Sequence, residues 1–280
     1  GKVQFQATDG NATLGVSTQL LGSANLLSGG YGSINPETVH AFGTTVRGWD
    51  ALKGVFWRYS QDGLTPISLE YGANKYARNL KVEESEDDYQ HALSCYDPFY
   101  DEWVLHTKNT EKTEAIAFNE SKNGFSVFYD MEIDWMSTIA NTYVSWLNGV
   151  LYIHNKGNDY NKIHGETVKS SLTCVCKANE TTFDTINAIS LRLYAQDNWS
   201  VNAQGIKRTS GTTQSASMGE SFGVLNEDYY EYPITTDAQS NPMKSRYFLV
   251  EAELSDVNYY SALYAIQLRF AVSPQSPTKA

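Results

Sequence analysis

Three carboxylates alternate along Asp130-Met131-Glu132-Ile133-Asp134 and run into Trp135. In an extended strand, side chains two apart share a face, so the three acids would stand together beside the indole. Glycosidases work with paired carboxylates, one as acid and the other as base or nucleophile, and a tryptophan ring stacks on a sugar. A solvated strand edge carries the same pattern, because charge on an edge deters stray pairing. The solvated edge is the plainer of the two meanings.

The remaining reactive residues are scattered. None of His40, His91, His106, His154 and His164 stands at a spacing that pairs histidines on a metal. Ser60-Gln61-Asp62-Gly63 lacks the spacing of the aspartate boxes found in sialidase-type propellers. Gly29-Gly30-Tyr31-Gly32 resembles a phosphate loop only superficially, since it has no lysine and opens no helix. Glu83-Glu84-Ser85-Glu86-Asp87-Asp88 reads as a solvated connection, with a calcium site as the sharper alternative. Cys95, Cys174 and Cys176 are an odd number and make no disulfide framework. Cys174 and Cys176 share a strand face, a placement that does not favour a bridge, so all three read as buried or half-buried free thiols. The expectation is a chain that is not an enzyme, with no catalytic, cofactor-binding or metal-ligating residue and no cofactor.

Composition narrows the partners. The 280 residues carry a formal net charge of −11, and aromatics make up 13%. An acidic surface repels phosphate backbones and anionic lipids, so specific nucleic-acid binding is not expected. An acidic lumen would still let DNA pass without adhering. No apolar run approaches the ~20 residues of a membrane span, and no signal peptide is visible. The chain opens on Gly1-Lys2 rather than methionine, which reads as a cut or processed piece of something longer.

The elements that must position these residues are short strands separated by turns. Tyr96 to Tyr129 is the clearest stretch: an Asp97-Pro98 turn, strands at Trp103-Val104-Leu105 and Ala115 to Phe118, an Asn123-Gly124 hairpin, then Phe125 to Tyr129. Alternation puts Phe125, Val127 and Tyr129 on one face of that last strand. Upstream, strands are expected at Thr38 to Phe42, Thr45 to Trp49, Val55 to Tyr59 and Leu64 to Ile67, with helix near 69–81. Downstream they fall at Trp135 to Ile139, Thr142 to Leu147 and Val150 to His154, the last two joined by an Asn148-Gly149 type I′ turn. Val168 to Lys177, 246–254 and 262–272 read as strands, and a further unit starts near Thr182. Gly205 to Gly219 reads as a polar loop, and 273–280 as a disordered tail.

Units beginning near 38, 91, 134 and 182 are roughly 45 to 50 residues apart, a propeller-blade period. The expected fold is all-β, with antiparallel meanders of β-propeller-blade type in about four blade-like units. Such a propeller closes with four blades or stays incomplete until partner chains complete it. The expected division is an extended N-terminal arm over 1–36, a blade-like β domain over 37–195, a C-terminal β region over 196–272 and the tail.

Several runs are similar, in the same order, to motifs of large tail proteins of crAss-like and related Bacteroidetes phages. Gly29-Gly30-Tyr31-Gly32-Ser33-Ile34-Asn35-Pro36-Glu37-Thr38 resembles that family's Gly-Tyr-Gly-x-x-Asn-x-Glu-Ser run. Val55-Phe56-Trp57-Arg58-Tyr59 and Gly63-Leu64-Thr65-Pro66-Ile67-Ser68 match its next strand and element. Tyr96-Asp97-Pro98-Phe99-Tyr100-Asp101-Glu102, the stretch from Ile116 to Tyr129 with Asn119-Glu120, and Leu151-Tyr152-Ile153-His154-Asn155-Lys156-Gly157 follow. The resemblance implies a propeller-like, muzzle-type virion protein at the distal end of a short tail. It implies other phage tail proteins as partners, in a ring-shaped homo- or hetero-oligomer. Residues 1–36 are then expected to order against a partner chain. The sequons at Asn11, Asn119, Asn179 and Asn198 carry little meaning in a phage. A carbohydrate-binding receptor-recognition module, with host glycan as ligand, is the alternative function. A propeller glycosidase comes after it.

Overall fold

The computed structural model describes residues 4–8, 11–15, 29–80, 89–109, 113–157, 160–177, 184–193, 199–206, 213–218, 224–226, 229–245, 247–254 and 263–272. The acidic run 83–88 and the tail 273–280 lie outside them. The chain forms two compact units, Gly1–Asn155 and Lys156–Ala280. It is all-β: among the described residues, helix is confined to Pro36–Thr38, Ile67–Glu70 and Asn74–Asn79.

The first unit is built from local meanders. Gln4–Thr8 pairs with Asn11–Gly15 in a hairpin. His40–Phe42, Thr45–Asp50, Val55–Ser60 and Gly63–Thr65 follow in sequence order as one antiparallel sheet. Tyr89–Asp97, Glu102–Asn109, Thr113–Asn119 and Gly124–Tyr129 form a second sheet, also in sequence order. Trp135–Ile139, Thr142–Leu147 and Val150–Ile153 form a third. Asn148 and Gly149 both have positive φ (52° and 76°), as a type I′ turn requires.

An aromatic core joins the first two sheets. Phe56 meets Trp103 edge-on at 6.0 Å between centroids, and Phe118 meets Phe125 at 5.1 Å. Trp49, Ile67, Leu105 and Ile116 fill the space around them. Each such side chain contributes roughly 1.5–3 kcal/mol by leaving water.

Three local expectations change. Thr38 does not begin a strand: Pro36–Thr38 is a 3-10 turn, because proline pre-sets the first helical φ and the Thr38 amide donates to Asn35 O at 2.9 Å. The helix expected near 69–81 starts earlier and is split into Ile67–Glu70 and Asn74–Asn79, with Gly72 at φ 90° between them. A bulge between Phe125 and Val127 then rearranges the last strand of the second sheet. Phe125 packs on Phe56, and Phe128 meets Tyr76 edge-on. Ser126 and Tyr129 instead donate to the Glu102 carboxylate. The extra residue therefore puts Phe125 and Tyr129 on opposite faces.

The second unit pairs strands far apart in sequence. Ser170–Cys176 and Trp199–Ile206 flank Phe248–Leu254, and Thr213–Met218 lies outside Trp199–Ile206. Thr213–Met218 is thus a paired strand, where a polar loop is expected from its Ser and Thr content. Such residues suit the outer strand of a sheet. Asp184–Leu193 pairs with Tyr229–Tyr232, Lys244–Ser245 and Leu263–Val272, so the stretch after Thr182 does not run on as a sequential meander. Trp199, Val201, Phe248 and Val250 sit in this unit's own core.

Candidate interface at a braced aromatic turn

The turn between Tyr89–Asp97 and Glu102–Asn109 is the most heavily buttressed feature of the first unit. Pro98 sets its first corner, and Asp97 Oδ1 accepts from the Phe99 amide at 2.9 Å. Asp101 adopts φ 59°, a conformation that aspartate tolerates better than most residues. Asn119 Nδ2 donates to Tyr100 O at 2.8 Å, and the Glu120 amide donates to Asp101 O at 3.1 Å. The Ser121 amide reaches Asp101 Oδ2 at 3.1 Å, and the Tyr96 and Ser121 hydroxyls also donate to that carboxylate.

Beneath the turn lie two buried carboxylates on facing positions of adjacent strands, Asp97 and Glu102. Asp97 Oδ2 accepts from Asn155 Nδ2 at 2.7 Å. Glu102 Oε1 accepts from Ser126 Oγ at 2.6 Å, and Oε2 from the Tyr129 hydroxyl at 3.1 Å. Burial raises the Asp97 carboxyl above its ordinary range, and hydrogen bonds from the Phe99 amide, the Asn155 side chain and the Tyr100 amide pull it back down. Burial, then the Glu102 charge, pushes the Tyr129 hydroxyl upward, so it stays a donor. All four carboxylate oxygens accept from protein groups, so the pair is held in place as a brace for the turn.

A second brace ties this turn to the first sheet. Glu120 accepts from Arg47 Nε at 2.6 Å and from Arg58 Nη1 at 2.9 Å. The Arg47 guanidinium also lies over the Tyr96 ring, 5.1 Å from its centroid. Arg47 is 3% exposed. A cation this deep needs its partner, because an uncompensated buried charge is strongly destabilising.

On this mount stand two exposed aromatic rings. Phe99 is 67% and Tyr100 51% exposed, with ring centroids 4.8 Å apart at 89°. Aromatic side chains held on rigid backbone are the anchors that protein interfaces favour. The arrangement suits docking.

The residues singled out by sequence are dispersed. Asp130, Glu132 and Asp134 are exposed and alternate with buried Met131 and Ile133, and Asp134 Oδ2 accepts from the Asn148 amide at 2.6 Å. His106 is buried with Nε2 3.1 Å from Met131 O, while His154 meets Ser145 Oγ at 2.7 Å and stacks on Tyr143. His40 is half-buried in the first sheet, His164 lies in the second unit, and the His91 side chain is outside the described residues. Cys95 is buried, and Cys174 and Cys176 are half-buried with sulfurs 3.5 Å apart. The Gly29–Gly32 run is tied down by the Gly32 amide to Asp50 Oδ2 at 3.1 Å and by Trp57 Nε1 to Gly32 O at 2.8 Å. Among the described residues no three His, Cys, Asp or Glu side chains gather as a metal site.

Sequence reasoning missed the Arg47–Glu120–Arg58 cluster. Its signal was present, as an arginine inside each of two aromatic strands, Val46-Arg47-Gly48-Trp49 and Phe56-Trp57-Arg58-Tyr59.

Compared with known families, residues 2–149 match the Crassvirus muzzle protein family, just over half of the chain. The chain belongs to that family. Tyr96 to Glu102 and Asn119-Glu120, which brace the aromatic turn, lie inside the span that places this chain in the muzzle family. The matched span lies within the first compact unit. No curated protein matches the chain. A muzzle family is one of phage structural proteins, in keeping with a role that is not enzymatic. No helix among the described residues is long and apolar enough to cross a membrane.

Proposed function

We propose that this chain is a structural component of the tail of a crAss-like phage, with its blade-like sheets part of a propeller-type assembly at the distal end. The observation that carries the proposal is the exposed Phe99–Tyr100 pair on a turn braced from below, in a chain of the muzzle family. A rigid aromatic knob binds a neighbour at low entropic cost, because little of it remains to be ordered. Its partners are other virion proteins or further copies, and a ring is the arrangement that a distal tail demands. The net charge of −11 suits a passage for DNA.

Cryo-electron microscopy of virions carrying a tagged chain tests the proposal. Density for the tag at the distal tail is expected. A tag on the capsid, or a chain absent from purified particles, defeats it. A phage with Phe99→Ser and Tyr100→Ser should yield particles that lack the chain. A glycan array on the purified protein tests receptor recognition separately.

A further inference from the structure

One strand of the second unit carries two thiols on a single face. Cys174 and Cys176 lie two apart on Ser170–Cys176, with sulfurs 3.5 Å from each other. Val250 and Phe248 stand opposite them on the neighbouring strand and are buried in the unit's core, so the cysteines line its margin. Both are half-buried, and Leu172, next along that face, is 49% exposed, so solvent reaches the pair. Among the described residues, Ser170–Cys176 pairs only with Phe248–Leu254 and is an edge strand.

Geometry separates the two things that such a pair can do. A disulfide needs sulfurs about 2.05 Å apart, and its Cα atoms usually stand about 5.5–6 Å apart. An extended strand sets residues two apart at about 6.6 Å, and pairing along its whole length holds this one extended. Closing the bond would pull the sulfurs about 1.5 Å nearer against that ladder. A tetrahedral zinc with bonds of about 2.3 Å spans two sulfurs about 3.8 Å apart. Cys174 and Cys176 are within about 0.3 Å of that spacing without any change in the strand.

The geometry points to a two-thiolate clamp in which Cys174 and Cys176 together hold one zinc ion. Both thiols release their protons to solvent as the two zinc–sulfur bonds form, and nothing is oxidised or reduced. Burial, then the hydrogen bond to Cys174 and its charge, push the Cys176 thiol up to about 12, so displacing its proton costs part of the affinity. Among the described residues no third His, Cys, Asp or Glu joins the pair. Two of the four zinc positions are therefore left to water or to donors from another molecule. The net charge of −11 favours the approach of a cation. The clamp holds whatever place the chain takes in a virion.

The test uses the full chain, purified and reduced, with cadmium as a spectroscopic stand-in for zinc. One equivalent of cadmium should raise an ultraviolet thiolate-to-metal band, and zinc should displace it. Cys174→Ser and Cys176→Ser should each weaken cadmium binding about tenfold or more, whereas Cys95→Ser should leave it unchanged. On the parent chain, zinc should slow alkylation of Cys174 and Cys176 together, as read by peptide mass spectrometry, so the result does not depend on a variant folding. No band at one equivalent, a band of full strength in Cys174→Ser, or alkylation at an unchanged rate with zinc overturns the proposal. So does oxidation of the pair to a disulfide in air while zinc is present.

Discussion

At Glu120 one side chain answers two cations, and the nearer of them is almost without water. Glu120→Gln should cost about 3 kcal/mol, since it leaves Arg47 buried without its counter-charge. Urea denaturation of the two proteins measures this, and a loss below about 1 kcal/mol would mean that solvent reaches Arg47. His40 faces Arg47 across the ladder and has its pKa lowered from 6.5, first by burial and then by that charge. The unfolded chain therefore binds a proton at His40 that the folded chain resists. Stability is full above pH 6.5 and falls as the pH drops from there through the lowered folded value. Melting temperatures of His40→Gln should fall less steeply over that window than those of the parent chain.

At the scale of elements, Gly48 is the tightest point. A Cβ there would stand 2.4 Å from the buried Trp57 ring, whose Nε1 donates to Gly32 O. Gly48→Ala should destabilise by about 1–3 kcal/mol, read as a lower denaturation midpoint. The strands of the first unit were legible because each meander pairs neighbours in sequence and one turn in each carries Asp-Gly or Asn-Gly, at Asp62-Gly63, Asn123-Gly124 and Asn148-Gly149. Trp135–Ile139, Thr142–Leu147 and the Asn148-Gly149 turn are where the turn chemistry puts them. Even the Gln4–Thr8 hairpin had its signal in Asp9-Gly10, although residues 1–36 read as an extended arm. The bulge at Ser126 was not legible, because alternation alone carries no mark of an inserted residue. Nor was the pairing of Ser170–Cys176 with Phe248–Leu254, which no local pattern specifies. The aromatic turn was legible as a turn, but its brace depends on Asn119 and Glu120, brought up from another strand.

At the scale of the molecule, each compact unit has its own core. Residues 1–155 expressed alone should therefore fold and unfold cooperatively, as followed by circular dichroism and calorimetry. A fragment lacking a cooperative transition would mean that its core depends on residues beyond 155. Mechanical load is a separate matter. The second sheet has an even number of antiparallel strands in sequence order, so Tyr89 and Tyr129 leave it at the same end and on opposite edges. Tension between those two points peels the outer strands one ladder bond at a time, whereas shear would load the whole ladder at once. Under force this sheet yields by unzipping, and the Glu120 contacts to Arg47 and Arg58 are the stitch that must part before its third strand can come away.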